Sequence, residues 1–372
     1  MSPNEPPRRQ EPQSGSSLGF ALIGCGKISR KHVHALERLP GARLLAVYDL
    51  DSARAEAVAS GIPGARAART LEEAFAMPGV DAVTVATPSG SHAAVAIAAA
   101  RAGKHVVVEK PLALTLDEAD EMIAVCDSAG VKLFVVKQNR YNRPVLAARR
   151  AVDEGRLGRI FMGGARVLWH RDDAYYQEAR WRGTWAQDGG VCTNQASHHI
   201  DLLLWFMGEA VSVFATGTRV LHRIETEDTA TVMLKFRHGA TAVVQATTCT
   251  QPRDLEGSIS LFGTRGTIEI GGFAADRLRT WTFADARPED ASVEAEWGTN
   301  PKEFAYNHGQ FYEDVLRTIG SDRRALIDGI EGRKSLEVIH AIYESMETGR
   351  EVALRFEPHR CRLGLPHIPE EG

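Results

Sequence analysis

The stretch FALIGCGKISRKHVHALERL, residues 20–39, decides the first half of the fold. Phe20, Ala21, Leu22 and Ile23 run without a polar break into Gly24-x-Gly26, and a helical pattern starts directly behind them. A short run that is apolar on both faces and closed by glycines reads as a strand buried inside a parallel sheet. In such a turn the first glycine allows the tight bend. The second lets an anion reach the backbone, and the helix N-terminus beyond stabilises its charge. Ser29 stands where the third glycine of G-x-G-x-x-G falls. Many α/β proteins need a glycine-rich strand-to-helix turn for structure alone, so the motif by itself leaves a dinucleotide site open rather than decided.

Working outward, RLLAVYD (43–49), DAVTVAT (81–87), KHVVVEK (104–110) and KLFVVKQ (132–138) repeat the apolar run, separated by helical stretches such as SHAAVAIAAARAG (91–103). Strands alternating with helices predict a parallel sheet with crossover helices, here a Rossmann-type dinucleotide-binding domain over 18–138. Residues 1–17, rich in Pro, Ser and charge, are expected to be disordered. After a helix at PVLAARRAVDEG (144–155) the texture changes. RIFMGGARVLWH, EAVSVFATGTRVL, TATVMLKFRHGATAVVQATT and GSISLFGTRGTIEIGG predict an antiparallel meander with hairpin turns at RHGA and GTRGT. Helices at 303–320 and 332–349 are expected to close this second domain. The fold class is thus α/β: a Rossmann domain, then an α+β domain over 139–355 with an open, mainly antiparallel sheet, and a tail over 356–372.

The totals agree with two domains, since 372 residues exceed what one core organises. A net charge of -4 argues against nucleic acid as a partner. No apolar run reaches the roughly 18 residues of a membrane helix, and no signal peptide opens the chain. Five scattered cysteines (Cys25, Cys126, Cys192, Cys249, Cys361) without C-x-x-C spacing point to a reducing cytoplasm and to no structural metal.

Three further stretches carry chemistry. Asp49 ends the second strand about 20 residues beyond the glycines, where a carboxylate accepts hydrogen bonds from the adenosine ribose. No arginine follows it at once, which favours NAD over NADP. Thr87 and Pro88 in ATPSGSH, and Lys110 at the end of VVVEK, fall at the same carboxyl edge of the sheet. GGVCTNQASHHIDLLLWFMG (189–208) opens an apolar helix with polar groups. On one helix Asn194 and His198 share a face, with Asp201 and Trp205 continuing it, and Gln195 and His199 form a neighbouring pair. Adjacent histidines diverge by about 100° and no third ligand is spaced to join them, so no metal is expected. WHRDDAYYQEARWRGTW (169–185) holds three Trp, two Tyr and three Arg. Aromatics stack on bases or sugars and arginines fork onto phosphate or carboxylate, which makes Tyr176, Arg182 and Arg140 candidate substrate contacts.

Taken together, IGCGKISRKHVHAL, ATPSGSHAAVAIAAARAGKHVVVEKPLAL and NQASHHID resemble the Gfo/Idh/MocA family of sugar and cyclitol oxidoreductases, over residues 18 to about 346. VVKQNRYNRPV and YYQEARWRGTWAQDGGVCTNQASHHIDLLLW resemble its WlbA-type branch, which oxidises C3 of UDP-N-acetylglucosaminuronate. The resemblance implies NAD held by Gly24, Gly26, Lys27, Ile28, Asp49, Thr87, Pro88, His92, Glu109, Lys110 and Gln138. It implies Lys110 and His198 as catalytic residues, and a sugar substrate touching Lys110, Asn194, Gln195 and His198. Asn194 departs from the Asp that many members carry there, which excludes a proton relay through that position. The resemblance also implies a homodimer or homotetramer joined through the open sheet, with an apolar face among strands 211–270. Two other readings stay open: the same chemistry on an inositol, aminocyclitol, glycoside or amino sugar, and a non-catalytic NAD-binding protein.

Overall fold

The computed structural model describes residues 17–321 and 323–354. The expected runs pair edge to edge as β1 (Leu18–Ile23), β2 (Ala42–Tyr48), β4 (Val80–Val85), β5 (His105–Val108) and β6 (Leu133–Val135), joined by a two-residue β3 (Arg66–Ala67). Their order is β3-β2-β1-β4-β5-β6, and every pairing is parallel. Phe20 and Leu22 on one face and Ala21 and Ile23 on the other are all buried, each large side chain contributing about 1.5–3 kcal/mol. Strand order reverses at β1 and β4, so the loops that follow these two strands part and leave a crevice at the carboxyl edge. The glycine turn and the Thr87 loop flank that crevice.

The second sheet comprises β7 (Ile160–Leu168), β8 (Ala210–Thr218), β9 (Thr229–Phe236), β10 (Thr241–Thr247), β11 (Glu256–Gly263), β12 (Gly266–Gly271), β13 (Arg277–Phe283) and β14 (Val352–Ala353). Its order, β13-β12-β11-β7-β10-β9-β8-β14, corrects the expected simple meander. β7 slips between β10 and β11, antiparallel to β11 but parallel to β10. Placed there, β7 satisfies its backbone on both edges, which no edge position offers. The hairpins fall where expected, with Gly239 at φ 86 in RHGA and Thr264–Arg265 linking β11 to β12.

Helices Ser197–Met207 and Gly329–Thr348 cover one face of this sheet, burying Val232, Leu234 and Phe236. On the other face Phe214, Met233 and Val243 stand in one row of paired residues, each 41–44% exposed. The expected apolar face is therefore a short row, bordered by Thr216, Thr231 and Lys235.

Helix Tyr306–Ile319, expected in the second domain, packs into the first core instead. Phe311, Tyr312 and Val315 are buried there, with the Tyr312 ring edge-on to Phe20 at 5.7 Å. Its apolar face matches the Rossmann core, and Asp314 on it accepts the Tyr141 hydroxyl at 2.9 Å. No helix among the described residues is long and apolar enough to cross a membrane. The expectations for 1–16, the 356–372 tail and Cys361 lie outside the described residues.

Candidate active site

At the glycine turn, Gly24 has φ 100 and a Cβ there would lie 2.5 Å from the Ala86 carbonyl oxygen, so no other residue fits. At Gly26 a Cβ would meet nothing within 4 Å. That open backbone is what the approach of a pyrophosphate requires. Ser29, in place of the third glycine, folds its hydroxyl back onto the Gly26 carbonyl at 2.6 Å. Asp49 ties the turn to β2: its carboxylate accepts the Cys25 N–H at 2.7 Å and the Asp51 N–H at 2.9 Å. Each oxygen keeps a lone pair for a ribose hydroxyl. Burial and Asp49 push the Cys25 thiol up to about 12, so it stays protonated. Ile28 is half-buried, and Lys27 is exposed and pairs with Glu178 at 2.6 Å. This bridges the glycine turn to the 172–185 loop.

Thr87 and Pro88 keep their expected place at the crevice. His92 does not face it: the ring is buried, with its nitrogens on the Pro111 carbonyl at 2.8 Å and the Thr87 carbonyl at 3.0 Å. It clamps two crevice loops instead of offering a free nitrogen to a ligand. Gly90 docks the second domain, since a Cβ there would lie 2.6 Å from the Ala186 oxygen.

Glu109 is also withdrawn from the crevice. It is buried, one oxygen facing His32 Nε2 at 3.0 Å and the other accepting the Lys110 N–H at 3.0 Å. Burial opposes its ionisation, but the His32 bond and charge outweigh it and hold the carboxyl at about 2. An ionised Glu109 accepts only, so His32 Nε2 donates to it; His32 Nδ1 meets the Tyr312 hydroxyl at 2.9 Å, which in turn meets Thr84 at 2.9 Å. This chain sets the backbone from which Lys110 projects.

Residues 189–208 were expected as one helix. The structure breaks it into Val191–Asn194 and Ser197–Met207. The Val191 carbonyl accepts from both Gln195 N (3.1 Å) and Ala196 N (2.8 Å), a widened turn that inserts one residue. Buried Glu227 and half-buried Tyr343 fix its start, accepting the Cys192 and Gly190 N–H groups at 2.9 Å each. Burial pushes the Glu227 carboxyl up to about 7. The expected shared face for Asn194 and His198 is thus lost as helix geometry, yet both still meet Lys110. Lys110 Nζ donates to the Asn194 carbonyl at 2.7 Å and lies 3.4 Å from its Oδ1. Lys110 and His198 line one small cavity. Burial, then the Lys110 charge, hold His198 well below the usual histidine range, which keeps the ring neutral. Gln138 Nε2 sits 3.3 Å from His198 Nε2, so the ring's unprotonated nitrogen faces that amide. His199 is buried against Trp169.

Arg140 is not at the crevice. It is 2% exposed and forks onto Asp201 through Nε and Nη2, both at 2.8 Å, with Glu331 at 3.2 Å. Lys137 joins the same Asp201 at 2.8 Å. A buried guanidinium with three of its five N–H groups fixed on two carboxylates is held as a structural cation rather than offered to a substrate. It pins Gln138–Tyr141 to helix Ser197–Met207, and with it Gln138 against His198.

Tyr176 and Arg182 do meet. They line one cavity of about 740 Å³ with Arg180, Arg219, Arg223 and His222, none of which the sequence singled out. Among the described residues neither Arg180 nor Arg223 pairs with an acid. The Tyr176 hydroxyl bonds Thr248 at 3.0 Å, and Arg182 lies over the Tyr175 ring at 4.1 Å. Gln195 reaches the Tyr175 hydroxyl at 3.4 Å. Asp188, also missed although it precedes the glycine pair directly, accepts from the Gly183 N–H and from Asn194 Nδ2.

Among the described residues, two groups bring potential metal ligands within 4.8 Å: His32, Glu109 and His308, and His222, Asp228 and Cys249. Both are built as hydrogen-bond networks. Glu109 spends both oxygens as above, and Asp228 accepts the Val220, Leu221 and His222 N–H groups.

Comparison with known proteins agrees with this geometry. The oxidoreductase family model with an NAD-binding Rossmann fold matches residues 18–137, and the GFO/IDH/MocA C-terminal domain model matches 145–269. The chain is 30% identical to the D-apiose dehydrogenase of Paraburkholderia graminis over 90% of its own length and 89% of that protein. It is 28% identical to the myo-inositol 2-dehydrogenase of Thermotoga maritima, over 91% and 98%. The WlbA dehydrogenase of Bordetella pertussis, solved with NADH and UDP-GlcNAcA, superposes with a TM-score of 0.88 at 39% identity, covering 93% of this chain and all of that one. The chain therefore belongs to the Gfo/Idh/MocA oxidoreductases and is an NAD-dependent dehydrogenase of the sugar type.

Proposed function

We propose that the protein oxidises C3 of a UDP-N-acetylglucosaminuronate-type sugar nucleotide to the 3-keto sugar. The observation that carries this reading is the cavity lined by Arg180, Arg182, Arg219 and Arg223 beside the Lys110–His198 crevice. A neutral cyclitol offers such a cluster no counter-charge, whereas a diphosphate and a uronate carboxylate take charge-assisted, forked hydrogen bonds from it. The WlbA dehydrogenase with UDP-GlcNAcA supports the same substrate class.

Bound NAD supplies the hydride acceptor; Gly26, Asp49 and Thr87 are the residues that hold it. His198, kept neutral, takes the hydroxyl proton on Nε2 once the substrate hydroxyl replaces the Gln138 amide at that nitrogen. The Lys110 ammonium, held by Asn194, orients that hydroxyl and stabilises the negative charge that develops on its oxygen. The row Phe214, Met233, Val243 is the surface through which two copies pair.

The test is reduced-nicotinamide absorbance with UDP-N-acetylglucosaminuronate, UDP-N-acetylglucosamine and myo-inositol offered separately. Turnover confined to the uronate, with KM raised at least about tenfold by Arg219→Ala/Arg223→Ala, is the expected result. Turnover on myo-inositol alone, in line with the inositol dehydrogenase relative, would discard the nucleotide and keep the chemistry.

A further inference from the structure

The group that faces Lys110 from residues 191–194 is an amide, which can present either end to an ammonium. Here the oxygen end is turned to Nζ, at 3.4 Å, beside the Asn194 carbonyl at 2.7 Å. The cause lies behind Asn194. Asp188 Oδ1 accepts from Asn194 Nδ2, and Asp188 Oδ2 accepts from the Gly183 N–H at 2.8 Å. Asp188 is 4% exposed. The glycine pair that follows it has no room for a side chain: a Cβ on Gly190 would lie 2.0 Å from Glu227 Oε2, and one on Gly189 2.6 Å from Thr193 Oγ1.

We propose that Asp188 is a positioning residue for Lys110: through Asn194 it turns an oxygen onto the ammonium, and from behind that amide it supplies the negative charge that keeps Lys110 protonated during oxidation. This rests on the dehydrogenase reading, in which Lys110 stays charged while His198 takes the hydroxyl proton. The groups facing Lys110 are Glu109 just beyond β5, Asp188 from the second domain, and the His198 and His92 rings. Burial works against its charge, and Glu109 and Asp188 oppose that burial. Glu109 is already spent on His32 and on the Lys110 N–H, which leaves Asp188 as the charge on the Asn194 side. Burial pushes the Asp188 carboxyl above its ordinary value, and the Gly183 N–H, the Lys110 charge, the Asn194 amide and the Arg182 charge act against that burial in favour of the carboxylate.

What matters in this arrangement is one carboxylate and one amide in contact, so exchanging the two should preserve it. Asp188→Asn is expected to move the alkaline limb of the oxidation profile to lower pH by about one unit or more and to cut turnover above that limb at least tenfold. Asn194→Asp sets two carboxylates in contact, so one must hold a proton, and it too loses activity. The double variant Asp188→Asn/Asn194→Asp restores a single charge, now nearer Nζ. It should recover at least tenfold over Asp188→Asn, with its alkaline limb at or above that of the wild type.

A readout that needs no substrate is competitive acetylation of the NAD-saturated protein with acetic anhydride across pH, with Lys110 followed by peptide mass spectrometry. A lower apparent Lys110 pKa in Asp188→Asn supports the proposal even if none of the offered sugars turns over. An unchanged Lys110 pKa overturns it whatever the substrate proves to be. So does a double variant no more active than the worse single one.

Discussion

Asp201→Asn tests the reading of Arg140 as a structural cation. In the wild type, Asp201 receives Lys137 Nζ and two Arg140 nitrogens, all at 2.8 Å, and the three residues are 2–4% exposed. The substitution keeps the shape and removes the charge, leaving two buried cations with Glu331 alone at 3.2 Å from Arg140. Stranding one side of a buried ion pair costs about 3–5 kcal/mol. The carboxyl supplies a second route to the magnitude. Burial works against its ionisation, but Arg140 and Lys137 outweigh it and draw it from 3.8 to about 2. A depression of nearly two units corresponds to about 2 kcal/mol of stability. The larger figure includes the stranded cations. Because the folded pKa lies below the unfolded one, this contribution is complete above about pH 4 and disappears as pH falls through 2.

The assay is urea unfolding followed by circular dichroism at pH 7 and at pH 3. The variant should unfold at clearly lower urea at pH 7, and its deficit should shrink at pH 3. Equal midpoints at pH 7, or a deficit that grows with acid, would refute the network as a stabilising element. The reasoning extends to the substrate: Arg140→Met should lower stability in the same assay while leaving KM within about twofold, the reverse of what a substrate clamp predicts.

Three further outcomes are expected. Lys110→Met should lower turnover by about 10²–10³ while leaving the NADH dissociation constant from fluorescence titration unchanged, as for removal of one oxyanion donor. The acid limb of kcat/KM for oxidation should lie below pH 6.5: His198 must be neutral to act, burial and Lys110 depress its pKa, and activity falls only when pH drops through that depressed value. A limb above 6.5 would remove His198 from the base role. Gly90→Ala forces a Cβ to 2.6 Å from the Ala186 oxygen, so the loop carrying Asp188 must shift. It should cost about 1–3 kcal/mol in thermal unfolding and raise the sugar KM.

Much of this was legible in local pattern. The five long strands of the first sheet were readable because a strand buried on both faces must be apolar throughout. The glycine turn was readable because φ 100 at Gly24 admits no side chain. Lys110 and His198 could be named from their motifs. The harder cases were residues whose role depends on partners far along the chain. His92, Glu109 and Arg140 carry the residue types of ligand contacts, but each has at least one partner 19 to 191 positions away. A charged side chain looks the same in a sequence whether it faces a cavity or a buried counter-ion.

Most strand and helix positions, the cofactor class and the choice of Lys110 and His198 as candidates came from the sequence alone, because they depend on neighbours a few residues apart. Tertiary structure decided the rest. It placed β7 between β10 and β11, returned helix Tyr306–Ile319 to the first core, widened the turn at Gln195–Ala196, gathered the arginines at 180, 182, 219 and 223 around one cavity, and set Asp188 behind Asn194. The physical reason is common to these: each satisfies a buried backbone edge, an apolar face or a charge with a partner distant in sequence, and only the folded chain brings such partners into contact.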